Sequence, residues 1–378
     1  VTAANLVAET VDFIVIGAGI AGASAAYALS AHGSVLIVER EAAPGYHTTG
    51  RSSAAFIQGY GNAAIRRLNA ASAPFFHAPP AGFTSAPLTS PCGILFVAGQ
   101  GDGDKLEQID QTLTREAVDH RKLGVKEARD YIPVLSASWL SGAIYDPSAH
   151  HIDVDALLQG YLRAARASGA SIWAHCDAKL IKDGTGLWRI TVGDRSVLGR
   201  VVINAAGAWA DQVALSAGLR PLGLRALKRT VGLTELPADI NVRDWPIALD
   251  VAEQFYFKPD AGRLLFSAAD EEEVEPHDAY ANDLDIAIAA DRLETATTLV
   301  VERVPHRWAG LRTFAPDRTI VAGFDSNDST FFWLAGQGGY GIQTAPAMAR
   351  LTAGLIADGR PPEDLASVAK HLSPRRFH

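Results

Sequence analysis

The stretch Phe13-Ile14-Val15-Ile16-Gly17-Ala18-Gly19-Ile20-Ala21-Gly22, followed by Val35-Leu36-Ile37-Val38-Glu39, decides the fold. No Asp, Glu, Lys or Arg interrupts residues 13–38, a length that could cross a bilayer as one helix. Its internal order argues against a span. An apolar, β-branched run meets a glycine turn, an alanine-rich helical pattern runs from Ile20 to Ala31, His32-Gly33 stops it, and Val35–Val38 repeats the run. The expectation is strand, turn, helix, strand, with both strands buried in a parallel sheet.

The turn reads G-x-G-x-x-G, and its place between strand and helix gives the pattern its meaning. Gly17 permits the tight turn, Gly19 lets backbone approach a pyrophosphate, and Gly22 lets helix and strand pack closely. Ile20 and Ala21 open the helix, whose first amides and dipole favour phosphate oxygens. Glu39 closes the second strand twenty residues after Gly19, placed to accept hydrogen bonds from a ribose diol. A carboxylate there repels a 2′-phosphate, so the expected dinucleotide is not NADP.

Composition excludes several alternatives. The chain has 378 residues, 34 Lys plus Arg against 42 Asp plus Glu, and a net charge of -8 without a basic block, so it lacks a nucleic-acid footprint. Cys92 and Cys176 are too few and too separated for a disulfide framework or a zinc site. The acidic run Asp270, Glu271, Glu272, Glu273, Glu275 and Asp278 reads as a solvated loop, and no metal is expected. Val1–Glu9 carries no basic segment of the secretory kind, so no leader is expected.

Three later segments choose between NAD and FAD. Gly45-Tyr46-His47-Thr48-Thr49-Gly50-Arg51-Ser52-Ser53 is a polar, glycine-bounded loop suited to phosphate and ring contacts, or to plain connection. Val201-Val202-Ile203-Asn204-Ala205-Ala206-Gly207-Ala208-Trp209 is a buried strand running into small residues, after a helix expected from Asp153. Gly336-Gln337-Gly338-Gly339-Tyr340-Gly341 opens a helix from about Ile342 to Ala357. A second glycine-rich helix start can lie over a flat ring and stabilise negative charge developing on a reduced flavin. FAD is the expected cofactor.

Together V-I-G-A-G-I-A-G (15–22), V-E-R-E (38–41), G-Y-H-T-T-G-R-S (45–52), V-I-N-A-A-G-A-W (202–209), W-A-G-L-R-T-F (308–314) and G-Q-G-G-Y-G-I-Q-T (336–344) resemble the D-amino-acid oxidase and glycine oxidase type of flavoprotein. Within it the sequence is most similar to bacterial FAD-dependent D-arginine dehydrogenases. The resemblance implies an α/β fold: a Rossmann-like domain holding noncovalent FAD, and a second α+β domain that binds substrate. The expected division gives residues 1–88, 148–223 and 308–378 to the first and 89–147 and 224–307 to the second. The implied activity is hydride transfer from the Cα of a D-amino acid to flavin, with the imino acid hydrolysed to a 2-oxo acid and ammonia. It also implies a cytoplasmic enzyme, peripheral to a membrane quinone pool at most, using a quinone or artificial electron acceptor.

By motif match Arg229 and Arg312 hold the substrate carboxylate, Tyr60 and Tyr256 line the pocket, and the Gly339 carbonyl meets the amino group. The implied cofactor contacts are Gly17, Gly19, Ile20, Ala21, Gly22, Glu39, Arg40, His47, Thr48, Thr49, Gly50, Arg51, Ser52, Ala206, Gly207, Trp209, Gly310, Gly338, Gly339, Tyr340, Gly341, Ile342 and Gln343. Arg312 between Trp308 and Phe314 must find an anion: a bidentate carboxylate fits its fork, and an internal salt bridge is the competing reading. Phe255 and Phe257 should face away from Tyr256.

Two departures concern specificity. Where the D-arginine enzymes carry a glutamate against the cationic tail, this chain has Ile94, and Ala55 replaces a histidine. Ile94, Leu95 and Phe56 offer apolar surface, so medium apolar or aromatic D-amino acids are expected rather than D-Arg or D-Lys. Glycine-type secondary amines or 2-hydroxy acids are the alternative substrates, and a flavin-binding protein without turnover is the alternative of another class.

Overall fold

The computed structural model describes residues 9–177 and 179–377, so Val1–Ala8, and with them most of the leader question, lie outside the described residues. Glu9–Ile16 forms a strand, Ile20–Leu29 a helix and Val35–Val38 the next strand, paired in parallel from Phe13↔Val35 to Ile16↔Val38. The first strand also pairs in parallel with Arg195–Asn204, which in turn pairs in parallel with Phe331–Ala335. The strand Ser171–Trp173 extends the other edge beside Val35–Val38. These strands return to one sheet after long excursions, as the buried apolar runs at 201–204 and 331–335 require.

The alanine-rich helix works by being thin. Its Ala23, Ala25 and Ala26 are fully buried between the sheet and the helices Val154–Ala167 and Gly341–Ala357. Asp153 caps the former, its carboxylate accepting from the Ala156 amide at 2.8 Å, so that helix begins where expected.

A second, nine-stranded sheet is built around Arg225–Thr234. His306–Phe314 pairs antiparallel along its whole length, while the opposite edge is shared: Glu272–Val274 pairs with residues 226–228 and Arg263–Ser267 with residues 232–234. The hairpin Tyr256–Asp260/Arg263–Ser267 continues through Ile247–Asp250 to Ile94–Gly99. Phe255 and Phe257 are buried and stacked on the far face, as alternation requires. Because His306–Phe314 belongs to this sheet, the expected boundary at 308 moves, and we propose that the last cofactor-domain segment starts after Phe314.

The acidic run is only partly the loop that its composition suggests: Glu272–Val274 forms a paired strand, while the Glu272, Glu273 and Asp278 side chains stay more than half exposed. Glu272 and Asp285 hold the buried Lys228 at 2.6 and 2.9 Å, and Glu273 pairs with Arg225 at 2.5 Å. Among the described residues no group of His, Cys, Asp and Glu could hold a metal, and no helix is long and apolar enough to cross a membrane.

Candidate active site

The glycine turn has the geometry that dinucleotide binding needs. Gly17 sits at φ +98, and a Cβ there would come 2.6 Å from the Ala205 carbonyl oxygen. A Cβ on Gly22 would run into the Gly17 carbonyl, and one on Gly19 would press on the Thr49 hydroxyl at 3.2 Å. The turn is therefore clamped between the third strand and the 45–53 loop, leaving its outer side open.

That side is a long cavity. Gly17, Gly19, Ile20, Ala21, Glu39, Arg40, His47, Thr48, Thr49 and Ser52 line one part, and Ala206, Gly207, Trp209, Gly338, Gly339, Gly341 and Ile342 the rest. The buried Glu39 accepts from the Ala18 amide at 2.6 Å and the Glu41 amide at 2.9 Å, which fixes its carboxylate against the turn. Arg40 stacks 4.3 Å over the Trp209 ring and His47 lies beside the same ring. Thr49 Oγ1 accepts from the Ile20 amide, tying the loop to the helix start. The open backbone at Gly19, the helix start behind it and a second helix start at Gly341 fit the diphosphate and ring of FAD.

Six expected cofactor contacts lie elsewhere. Gly22 and Gly50 line neither cavity: the first allows helix to meet strand, and the second closes the loop through its amide on the Gly45 carbonyl at 2.7 Å. Tyr340 turns its ring toward Tyr60, with centroids 5.5 Å apart. Arg51, Gly310 and Gln343 line the neighbouring pocket instead. The Arg51 guanidinium is bound by Asp278 and by the Ala279 and Ala309 carbonyls, and Gln343 accepts from the Ile57 amide at 3.0 Å. Sequence reading missed Cys176, Asp177, Lys179, Leu180 and Ile181, which line the cavity from the far side of the sheet; no local motif marks them.

The neighbouring pocket shares Thr48, Ser52 and Gly339 with the first. It gathers Tyr60, Arg229, Tyr256 and Arg312, together with Ala55 and Ile94. The strand register explains the arginine pair: Arg229 faces Gly310 and Leu227 faces Arg312, so the two arginines are diagonal neighbours on one face. Lys228 points to the other face, so it does not make Arg229 a surface residue. Arg229 donates to the Asp270 carbonyl at 2.8 Å, and Arg312 to the Gly338 carbonyl at 3.0 Å. Glu271 Oε1 lies 3.3 Å from Arg229, 3.4 Å from Arg312 and 2.8 Å from Arg318. Both readings of Arg312 thus hold in part: an internal carboxylate is present, but Glu271 alone among the described residues stands within ion-pair distance of all three guanidiniums while Asp270 and Glu253 act through space, so at close range the cluster keeps excess positive charge.

Burial, reinforced by the Arg312 charge, pushes Arg229 below its ordinary value. Burial also raises the Tyr60 phenol, which stays neutral. The Tyr256 hydroxyl lies 3.3 Å from Ser53 Oγ at the junction between sheet and loop. Gly339, at φ +84, packs so closely on Arg312 that a Cβ would overlap the guanidinium.

Phe56 does not belong to the pocket. It is buried against Phe76, while its neighbours Ala55 and Ile57 face the cavity. Leu95 likewise points into the core on the sheet's other face. The apolar wall consists of Ile57, Ile94, Val231, Ile247 and Leu249, and three polar groups escaped the sequence reading: Ser53, Glu253 and Lys258. The last could have been suspected from its alternation with Tyr256.

A family model described as DAO, FAD dependent oxidoreductase, matches residues 12–355. The chain is similar to the uncharacterized oxidoreductase YurR of Bacillus subtilis (strain 168), 23% identical over 376 residues and covering 94% of this chain and 97% of that protein. It is similar to mitochondrial dimethylglycine dehydrogenase of Mus musculus, 25% identical over 275 residues, covering 67% of this chain but spanning only 31% of that longer protein. Among solved structures, L-proline dehydrogenase from P. horikoshii superposes with a TM-score of 0.84 at 19% identity, over 98% of each chain. The matched residues run through both glycine-rich helix starts, so the chain belongs to the DAO family of FAD-dependent oxidoreductases and takes FAD as its cofactor.

Proposed function

We propose that this protein oxidises the Cα–N bond of an α-amino acid of D configuration with a non-basic side chain. The observation that carries the reading is the Arg229–Arg312 pair, which faces a cavity sharing Gly339 with the cofactor cavity. A substrate carboxylate on the two guanidiniums is held by charge-assisted, bidentate hydrogen bonds. The Gly339 carbonyl accepts from the amino group, and Tyr256 and Tyr60 close the sides. Positive charge at the clamp disfavours an ammonium, so the amine binds neutral and its lone pair stabilises the cation that develops as hydride leaves Cα. When bound, FAD supplies the acceptor for that hydride. The resulting imino acid takes up water and releases a 2-oxo acid and ammonia. The apolar wall of Ile57, Ile94, Ile247 and Leu249 supports a non-basic side chain, because along it a guanidinium tail meets no carboxylate, the exposed Glu253 being the one carboxylate in the pocket lining among the described residues. A quinone or an artificial acceptor completes the cycle.

The test is anaerobic reduction of bound flavin by D- and L-enantiomers of Leu, Met, Phe, Glu and Arg, with sarcosine and N,N-dimethylglycine alongside, followed by air. The expected result is bleaching by D-enantiomers, D-Arg being poor, and slow recovery in air. Bleaching by L-enantiomers or D-Arg above all others contradicts the proposal. A second reading, oxidation of N-alkylated α-amino acids, is favoured by the activities for which the similar dimethylglycine and L-proline dehydrogenases are named. Preference for the two N-methylated glycines would support it.

A further inference from the structure

Among the described residues two lysines are buried, and their surroundings differ. Lys228, 6% exposed, is held by the carboxylates of Glu272 and Asp285 at 2.6 and 2.9 Å. Lys258, 9% exposed, lines the substrate pocket, and its ammonium makes no ion pair and no hydrogen bond among the described residues. Burial pushes its pKa down, and Asp260, two residues along the strand, offsets part of that effect through space. The other titratable neighbours supply no negative charge. Burial holds Cys92 as a thiol, pushed up to about 12, and holds His151 neutral, pushed down to about 4 with its Nδ1 buried and unpartnered. A cation in such surroundings is costly unless an anion reaches it.

The register fixes where that anion would come from. Leu249 faces Tyr256, so the next outward-facing pair is Ile247 and Lys258, and Ile247 faces Ile94 on the following strand. Lys258 therefore lies on the pocket face one step beyond Tyr256, about 7 Å along the strand. Arg229 lies in the opposite direction, since Tyr256 faces Ser267 and the strand passes from there toward Asp270, whose carbonyl holds Arg229. The α-carboxylate clamp and the unpaired ammonium thus stand at opposite ends of one pocket face, with Val231 and Tyr256 between them and Leu249, Ile247 and Ile94 flanking Lys258 on the strands beyond it.

We propose that Lys258 receives a second acidic group of the substrate, so that the site takes an acidic α-amino acid of D-glutamate or D-2-aminoadipate length. This rests on the amino-acid reading above, and it replaces the purely apolar preference with an apolar stem ending in an anion. Lysine suits the role as a compact point charge at the end of an otherwise apolar channel.

Two measurements on the FAD-loaded protein keep the two proposals apart. The first compares kcat/KM for D-glutamate with that for its isostere D-glutamine, in the wild type and in Lys258→Met. The expected wild-type ratio is at least tenfold, collapsing to about one in the variant. The second uses unreactive glutarate and pentanoate, whose binding is read from the flavin absorbance spectrum: glutarate should bind at least tenfold more tightly, and Lys258→Met should abolish the difference. A glutarate-to-pentanoate ratio unchanged in the variant overturns the inference even if every D-amino acid is oxidised. Failure of all amino acids to reduce flavin, with glutarate discrimination intact, overturns the proposed activity and leaves the acid subsite standing. D-Arg outcompeting D-Glu overturns the inference in favour of Glu253 at the pocket mouth. Melting temperature controls for misfolding, and it should rise in Lys258→Met, because an uncompensated buried cation is removed.

Discussion

Arg312 is bound on one side by the Gly338 carbonyl and Glu271, and Gly339 packs on its guanidinium. Truncating a buried, hydrogen-bonded charge partner typically costs about 2–5 kcal/mol, so Arg312→Ala should lower kcat/KM by about 30- to 5000-fold, mostly through KM. Gly339→Ala should act through the same guanidinium: strain at φ +84 and overlap with Arg312 predict at least about a tenfold loss of kcat/KM per bound flavin. Glu271 gives a pH-dependent prediction. Burial raises its carboxyl, but Arg318, Arg312 and Arg229 outweigh that and hold it below its ordinary 4.5. A depressed folded-state pKa contributes stability that is fully present above 4.5 and is lost as pH falls below it toward the lowered value. Melting temperature should therefore fall less steeply on acidification in Glu271→Gln than in the wild type, while glutarate binding tightens because the cluster loses its internal anion. The arginines and Tyr256 were legible because a charged or phenolic side chain among strand-forming apolar residues is conspicuous. Glu271 and Lys258 were not, since what matters about each is which charges the fold brings to it.

The β-α-β unit was legible almost residue by residue, because period, glycine spacing and the terminal glutamate all act within thirty residues. Its packing makes a sharp prediction. Gly22→Ala places a Cβ on the Gly17 carbonyl at a point where neither helix nor strand can retreat, so the variant should purify without flavin or fail to fold. The flavin-to-protein absorbance ratio, with melting temperature, checks this against Ala31→Ser at an exposed position just beyond the helix, which should retain flavin. The substrate sheet was far less legible. Its central strand Arg225–Thr234 exchanges one neighbour for another between residues 228 and 232, and that exchange turns the acidic run into a paired strand. Such pairings are long-range, and composition alone gives the run a solvated reading. Phe56 failed for a smaller reason: in a two-residue strand the facing side chain is decided by one residue of register.

At the scale of the molecule, the two sheets bring a dinucleotide cavity and a cationic pocket together across Thr48, Ser52 and Gly339. Neither half explains the other. The glycine-rich helix starts account for the cofactor but would serve many substrates, whereas the arginine cluster would suit a carboxylate but carries no redox chemistry. The proposed hold of Arg229 and Arg312 on a carboxylate, which would present Cα to the flavin, can be tested without knowing the natural side chain. The measurement is the anaerobic rate of flavin reduction by D-methionine beside that by its decarboxylated amine, 3-(methylthio)propylamine. Loss of a charged partner at a buried clamp predicts that the amino acid reduces flavin at least about 100-fold faster at equal, subsaturating concentration. Equal rates, or reduction by the amine alone, would contradict the claim.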